Sequence, residues 1–299
     1  MGLSSAGLAN LFTAHRWFHD AYTVGDVDGA LAVLDPAVRS DGMGEPVVGI
    51  EAHGELARGL RRTWPVCHVR FEDAVESGDR LAVRCRVRGR HHASPAPLDF
   101  VGGVFLRFKA GKIVHAWNSW DFYTALSGSG HVAPGALAAC LAPSGRTPAP
   151  APTRRGAPPR TRGAGREELV RRWSESAYGA RNLQAIDDLL TPDVFAHGLG
   201  QSITGREAFA TSFYLPFMAA FPEARFEVTD TIGDGDVVAV RVDVEGTHVG
   251  GARVRFSGGG FVHFRGERIA GVHNCWDFLS MLEQTGAVAP GRMAAASAG

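Results

Sequence analysis

The sequence predicts an α+β fold written twice, with helices covering one face of a curved antiparallel sheet in each copy. Three observations carry this reading. First, "WNSWDF" ends at Asp121 and "HNCWDF" ends at Asp277, an offset of 156 (277 less 121) that recurs along the chain. Trp17–Tyr22 maps onto Trp173–Tyr178, Leu34 onto Leu190, and Gly42, Gly44 and Gly49 onto Gly198, Gly200 and Gly205. "GHVAPG" from Gly130 likewise maps onto "GAVAPG" from Gly286. A near-constant offset over so long a stretch marks a tandem duplication. Second, each copy places its helical patterns first and its strands afterwards, the order of an α+β domain. Third, the strand segments alternate with period two.

The elements follow in order. An amphipathic helix opens each copy, around Leu8–Val24 and Glu167–Ala180. A short helix follows, with Asp26 or Asn182 placed as its N-cap. Next come a brief strand and a third helix, near Ile50–Arg62 or Thr204–Ala220, and then four long strands. Asp79, Asp234–Gly235 and Lys109–Lys112 fall at turns between them. The boundaries predicted are a first domain over 1–141, a linker over 142–165 and a second domain over 166–299. The linker "APSGRTPAPAPTRRGAPPRTRGAG" has no apolar periodicity, and its Pro and Gly residues read as an extended tether.

Composition excludes several classes. With 299 residues there is enough chain for two ordinary cores. Lys+Arg and Asp+Glu both number 31, so no net charge advertises nucleic acid or an anionic membrane. No spanning segment and no leader pattern is evident, and the expected location is the cytoplasm. Cys67, Cys85, Cys140 and Cys275 show no metal-ligand spacing and read as free, buried thiols.

"LAVRCRVRGRH" puts Leu81, Val83, Cys85, Val87, Gly89 and His91 on one face and Arg84, Arg86, Arg88 and Arg90 on the other. The second copy puts Val238, Val240, Val242, Val244, Gly246 and His248 inward, opposite Arg241, Asp243 and Glu245. Each copy thus ends its apolar face on a histidine, either a functional group or a core imidazole satisfied by a backbone carbonyl. The last strand leaves both faces open: Ile269, His273, Cys275 and Asp277 share one, Ala270, Val272, Asn274 and Trp276 the other. Asp121 and Asp277 read either as acid/base groups or as N-caps of the helices "DFYTAL" and "DFLSML".

"FAHGLGQSITGREAF", "AFPEARFEV", "GTHVG" and "GERIAGVHNCWDFLSMLEQTGAV" follow each other in an order that resembles the SnoaL-like polyketide cyclases of the nuclear-transport-factor-2-like superfamily. The resemblance covers most of Glu167–Pro290 and, more weakly, Ala9–Pro134. It implies two tandem cone-shaped α+β barrels, each with a pocket between its curved sheet and its helices. It also implies cofactor-free chemistry on a polyketide- or terpenoid-type intermediate, with Asp121 and Asp277 as acid/base. His91 and His248 match its "GTH" histidine. His197 matches the histidine after its first strand, where the first copy has Asp41.

The expected function is therefore cyclisation or isomerisation by proton transfer, with epoxide opening or dehydration, or ligand binding without catalysis, as alternatives. A desolvated Asp takes a proton α to a carbonyl and a neighbouring His steadies the enolate. The second copy keeps the fuller set, His197, His248, His273 and Asp277 with Tyr178, and is expected to carry most of the catalysis. The first has Tyr22, His91 and Asp121, with Asp41 expected to raise the proton affinity of Asp121 by like-charge repulsion. Asn274, Trp276 and Trp120 are expected to touch substrate. No metal and no organic cofactor is expected, because the histidines lack ligand spacing and no phosphate loop or G-x-S-x-G elbow exists. "FSGGGF" reads as a strand bend or bulge. The expected partner is a hydrophobic small molecule, with the two domains forming an internal pseudo-dimer and the Arg84–Arg90 row facing Asp243 and Glu245.

Overall fold

Helices first and strands afterwards give each copy one sheet and one helical cover, as the computed structural model shows. It describes residues 3–92, 97–142, 152–154 and 165–292, so most of the predicted linker lies outside the described residues. The chain divides into two compact units, Met1–Pro134 with Gly291–Gly299, and Gly135–Pro290. Among the described residues no helix is long and apolar enough to cross a membrane.

In the first unit, α1 (Ser5–Phe18) starts on the hydroxyl of Ser4, which accepts the Gly7 amide at 3.1 Å. It continues as a π-helical turn, His19–Val24, and stops at Gly25, whose φ of 95° suits only glycine well. Asp26 caps α2 (Val27–Leu31) through the Gly29 amide, as predicted. Then follow β1 (Leu34–Asp41), β2 (Val47–Val48), α3 (Ile50–Thr63) and the long strands β3 (Val66–Ser77), β4 (Arg80–Arg90), β5 (Pro97–Lys109) and β6 (Lys112–Trp120), with α4 (Phe122–Gly128) last.

The sheet order is β2-β1-β6-β5-β4-β3. It is mixed and not wholly antiparallel, because β1 pairs parallel to β6. The three hairpins joining β3 to β6 reverse the chain three times, which brings β6 back alongside β1 in the same direction. A parallel pair needs a long connection, and α3 with β3–β5 supplies it. Alternation within a strand carries no record of that direction.

The second unit repeats the plan. Its elements are α5 (Ala136–Leu141), α6 (Arg166–Trp173) with a π turn at Ser174–Gly179, α7 (Gln184–Leu189), β7 (Leu190–His197), β8 (Ile203–Thr204), α8 (Arg206–Phe209), a π turn at Ala210–Tyr214, α9 (Leu215–Ala220), β9 (Arg225–Asp234), β10 (Val237–Thr247), β11 (Arg253–Arg265), β12 (Arg268–Trp276) and α10 (Phe278–Gln284). The sheet order is β8-β7-β12-β11-β10-β9, again with one parallel pair, β12 with β7. α5, which the boundary at 141 assigned to the first copy, packs on α9 and α10.

The second π turn explains a drift in the repeat. Gly49 and Gly205, which precede α3 and α8, are 156 apart, whereas the C-caps Trp64 and Phe221 are 157 apart with nearly the same backbone angles. One extra residue has entered the helix, and a π turn is how a helix absorbs one without breaking.

The predicted strand faces hold. Leu81, Val83, Cys85 and Val87 are buried, as are Val238, Val240, Val242 and Val244. Three arginines of the row are paired within their own sheet. Arg84 pairs with Glu72 and Asp73, Arg86 and Arg88 share Asp99, and Glu245 pairs with Arg255. All four cysteines are free and buried.

Candidate functional site

Each unit holds a cavity between its helices and the concave face of its sheet. The second unit's cavity is about 90 Å³ in volume and partly open to solvent. Its walls are aromatic and aliphatic, Phe209, Phe213, Phe226 and Trp276 among them, and Ser174, Tyr178 and Asn274 bring its hydroxyl and amide groups. The first unit's cavity is about 70 Å³, with Trp17, Phe100 and Trp120 in its wall and a larger polar group of Tyr22, Ser40, His53 and Asn118.

The π turns place the tyrosines. One extra residue per turn rotates the end of the first helix, and Tyr22 and Tyr178 reach the cavities from there. Burial raises the pKa of both phenols, so each hydroxyl stays protonated and able to donate. Tyr178 also stacks on Phe226 with ring centroids 4.3 Å apart.

The last strand settles which face is internal: Asn118 and Trp120, and Asn274 and Trp276, line the cavities. Asn274 is a clamp. Its Nδ2 donates to the His197 carbonyl at 2.9 Å, and its Oδ1 accepts the Trp276 indole N–H at 3.1 Å. Asn118 Nδ2 donates to the Asp41 carbonyl at 3.2 Å in the same way. The paired glycines belong to this clamp. A Cβ at Gly198 would lie 2.0 Å from the Asn274 carbonyl oxygen, and one at Gly42 1.9 Å from that of Asn118. "FSGGGF" is likewise not a bulge, since the register shift lies further on, between His263 and Phe264. Gly258 is bare because the Trp276 ring lies against it.

The predicted acids sit elsewhere. Asp121 caps α4, accepting the Thr124 amide at 3.0 Å and the Thr124 hydroxyl at 2.6 Å. Asp277 caps α10 through the Ser280 amide at 3.0 Å. Neither is among the cavity-lining residues. Both bind protons more tightly than an ordinary carboxylate because burial disfavours the charge, and Asp277 is pushed up to about 6. The expected repulsion from Asp41 is not the cause. Asp41 is held by Arg39 at 2.6 and 2.8 Å and by His115 at 2.7 Å, and the Arg39 hydrogen bond lowers its own pKa.

The predicted histidines also lie outside the cavity walls. His248 Nε2 donates to the Cys140 carbonyl at 3.1 Å and its Nδ1 accepts the Gly250 amide at 3.0 Å, so backbone groups engage both ring nitrogens. His91 is buried but stacks on His92 and lies 5.1 Å from the His131 ring. His197 and His273 meet edge-on, 5.1 Å apart, on the strand face opposite the one that lines the cavity. Trp117, which takes the place of His273 in the first copy, packs against Phe105.

A polar pair that sequence reasoning passed over does line the first cavity. Ser40 Oγ and His53 Nε2 are 2.8 Å apart, and His53 Nδ1 lies 2.7 Å from the Gly49 carbonyl. They are 6% and 4% exposed, and burial lowers the His53 pKa. A carbonyl only accepts, so Nδ1 carries the proton and neutral Nε2 receives the Ser40 hydroxyl. At the offset of 156 the second copy has Ala196 and Phe209. That substitution was readable, but only at positions where the two copies disagree.

A curved sheet closed over an apolar cavity by helices is thus present twice. The SnoaL-like domain model matches residues 14–116 and again 170–272, and the chain belongs to that family. No curated protein sequence matches it. Among solved structures, a protein of Jannaschia sp. CCS1 assigned to the SnoaL-like polyketide cyclases is similar at 19% identity, with a TM-score of 0.40 over 43% of this chain and 96% of that one. IdmH of Streptomyces antibioticus, assigned as a polyketide cyclase, is 22% identical, with a TM-score of 0.37 over 40% and 98%. An LEH-like epoxide hydrolase of M. tuberculosis is 15% identical, with a TM-score of 0.36 over 42% and 91%.

Proposed function

We propose that the chain is a cofactor-independent acid–base enzyme that isomerises or cyclises an apolar carbonyl compound of polyketide or terpenoid type. The observation that supports this most is the pair of mainly apolar cavities, each with a protonated tyrosine and an asparagine among its few polar groups. Such a site desolvates a flat guest, orients its oxygen and strengthens any hydrogen bond to a developing enolate. The chemistry consists of moving one proton, which needs a base and a donor and no redox group.

A second reading, ligand binding without chemistry, is favoured for the second unit by one observation. Asp277 caps a helix and His248 is held by backbone, so neither presents a free group to that cavity.

The test of the reading is ligand capture. Aromatic ketones are expected to quench the emission of the cavity tryptophans, and Val242→Trp, which fills the second cavity, is expected to weaken that unit's binding by about tenfold or more. Substrate turnover, once found, is expected to survive exhaustive chelation. Absence of any quenching, or loss of turnover on chelation, sinks the proposal.

A further inference from the structure

The two cavities descend from one duplicated domain, so the positions where their linings differ show what the fold itself does not require. Ser40 and His53 occupy such positions. The second unit pairs the same strands and starts the corresponding helix with Ala196 and Phe209 there, before its π turn, so neither the sheet nor the helix start depends on the polar pair. In the first unit both residues are buried, and the His53 ring meets that of Trp17, which in turn meets Tyr22, surroundings in which an unneeded polar group is costly.

The pair is also assembled in the manner of a working base. A nucleophile or relay hydroxyl, a base within hydrogen-bond reach and a third group that orients the base form a recurrent arrangement. Ser40 Oγ–H donates to His53 Nε2, and the Gly49 carbonyl fixes the tautomer by accepting from Nδ1–H. That carbonyl also accepts the His53 backbone amide at 3.2 Å, so it stands at the start of α3 and cannot swing away. Tyr22, on the same cavity wall, has a hydroxyl suited to donate to an oxyanion.

We propose that catalysis resides in the first unit, with His53 as the general base acting on an apolar carbon acid, Ser40 as the hydroxyl relay into the cavity and Tyr22 as the donor to the developing oxyanion. This rests on the acid–base reading above and reverses the sequence expectation that the second pocket does the work. In the step, a C–H bond α to a carbonyl breaks and its proton passes to Ser40 Oγ. The Ser40 proton passes to His53 Nε2, and the electron pair moves onto the carbonyl oxygen, which accepts from Tyr22. Where the substrate carries a double bond next to the α carbon the intermediate is a dienolate, and return of the proton to its far carbon restores neutral His53 and gives the isomer.

The experiment uses the full chain and 5-nitrobenzisoxazole, a flat apolar carbon acid. Loss of its C–H proton to a base breaks the ring N–O bond, forms a nitrile and releases a coloured phenolate. Wild type is expected to accelerate this elimination, and the double variant Ser40→Ala, His53→Phe, which writes the second unit's own residues into the first, is expected to lose turnover by about 100-fold while still binding the probe. His53→Ala is expected to be equally slow and to regain turnover on addition of imidazole, a response that a merely structural histidine does not give. Undiminished turnover in the double variant, or no rescue by imidazole, overturns the assignment. Probe binding by wild type without turnover also overturns it, leaving the ligand-binding reading intact. No binding at all defeats that underlying reading.

Discussion

Trp276→Ala is expected to destabilise the second unit by about 3–5 kcal/mol, and Gly258→Ala by about 1–3 kcal/mol, through one shared contact. A Cβ built on Gly258 lies 2.2 Å from Cε3 of the Trp276 ring and 2.5 Å from its Cδ2. The ring cannot easily give way. Its indole N–H is bonded to Asn274, which is itself bonded to the His197 carbonyl, and Phe278 stacks over it at 6.3 Å. Displacement would therefore break the clamp between β7 and β12 and push the indole into the cavity. The two substitutions should be strongly non-additive, because in the Trp276→Ala background the new methyl meets empty space. Denaturant unfolding of wild type, both single variants and the double variant gives the coupling, and additive losses would remove the contact from the explanation. The first unit offers the same test at Gly102 and Trp120, where the corresponding distance is 2.0 Å.

The contact also shows which parts of this protein its sequence displays. Period-two alternation identified the inward valines of β4 and β10, because a strand with one buried face must alternate. The duplication was legible because both copies are held to the same turns and the same Trp. What alternation could not show was direction, so the parallel pairing of β1 with β6 went unseen. On the last strand both faces carry large or polar residues, and the pattern alone could not choose between Asn274 with Trp276 and His273 with Asp277. Packing chose, since only the first pair finds the bare glycine and the cavity. Ser40 and His53 were hidden for a different reason. They lie 13 residues apart on a strand and a helix, and attention to what the copies share passes over what only one of them has.

The contribution of Asp277 to stability is expected to fall as pH rises from about 4 to about 6, and Asp277→Asn should remove it. In the unfolded chain this carboxyl titrates near 3.8, whereas in the fold burial pushes it up to about 6. Below the lower value both states are protonated and Asp277 costs nothing. Between the two values the unfolded chain gives up its proton first, which draws the equilibrium toward unfolding, and above about 6 the full penalty is present. A shift of this size corresponds to at most about 3 kcal/mol, and the partial solvent contact of Asp277 reduces it to about 1–2 kcal/mol. Asparagine keeps an acceptor for the Ser280 amide and is as good an N-cap, so the variant should gain that amount at pH 8 and nothing at pH 4. Asp121, 3% exposed and raised in the same direction, should respond with the same sign. The comparison of thermal midpoints at pH 4 and pH 8 separates the two uses of these residues. A carboxylate kept for chemistry sacrifices stability to hold its charge, and its asparagine variant gains stability while losing turnover. A carboxylate kept as a cap yields the same gain with turnover intact. For Asp277 and Asp121 the capping geometry predicts the second outcome, and loss of turnover in either variant would restore the acid/base role that the family resemblance implied.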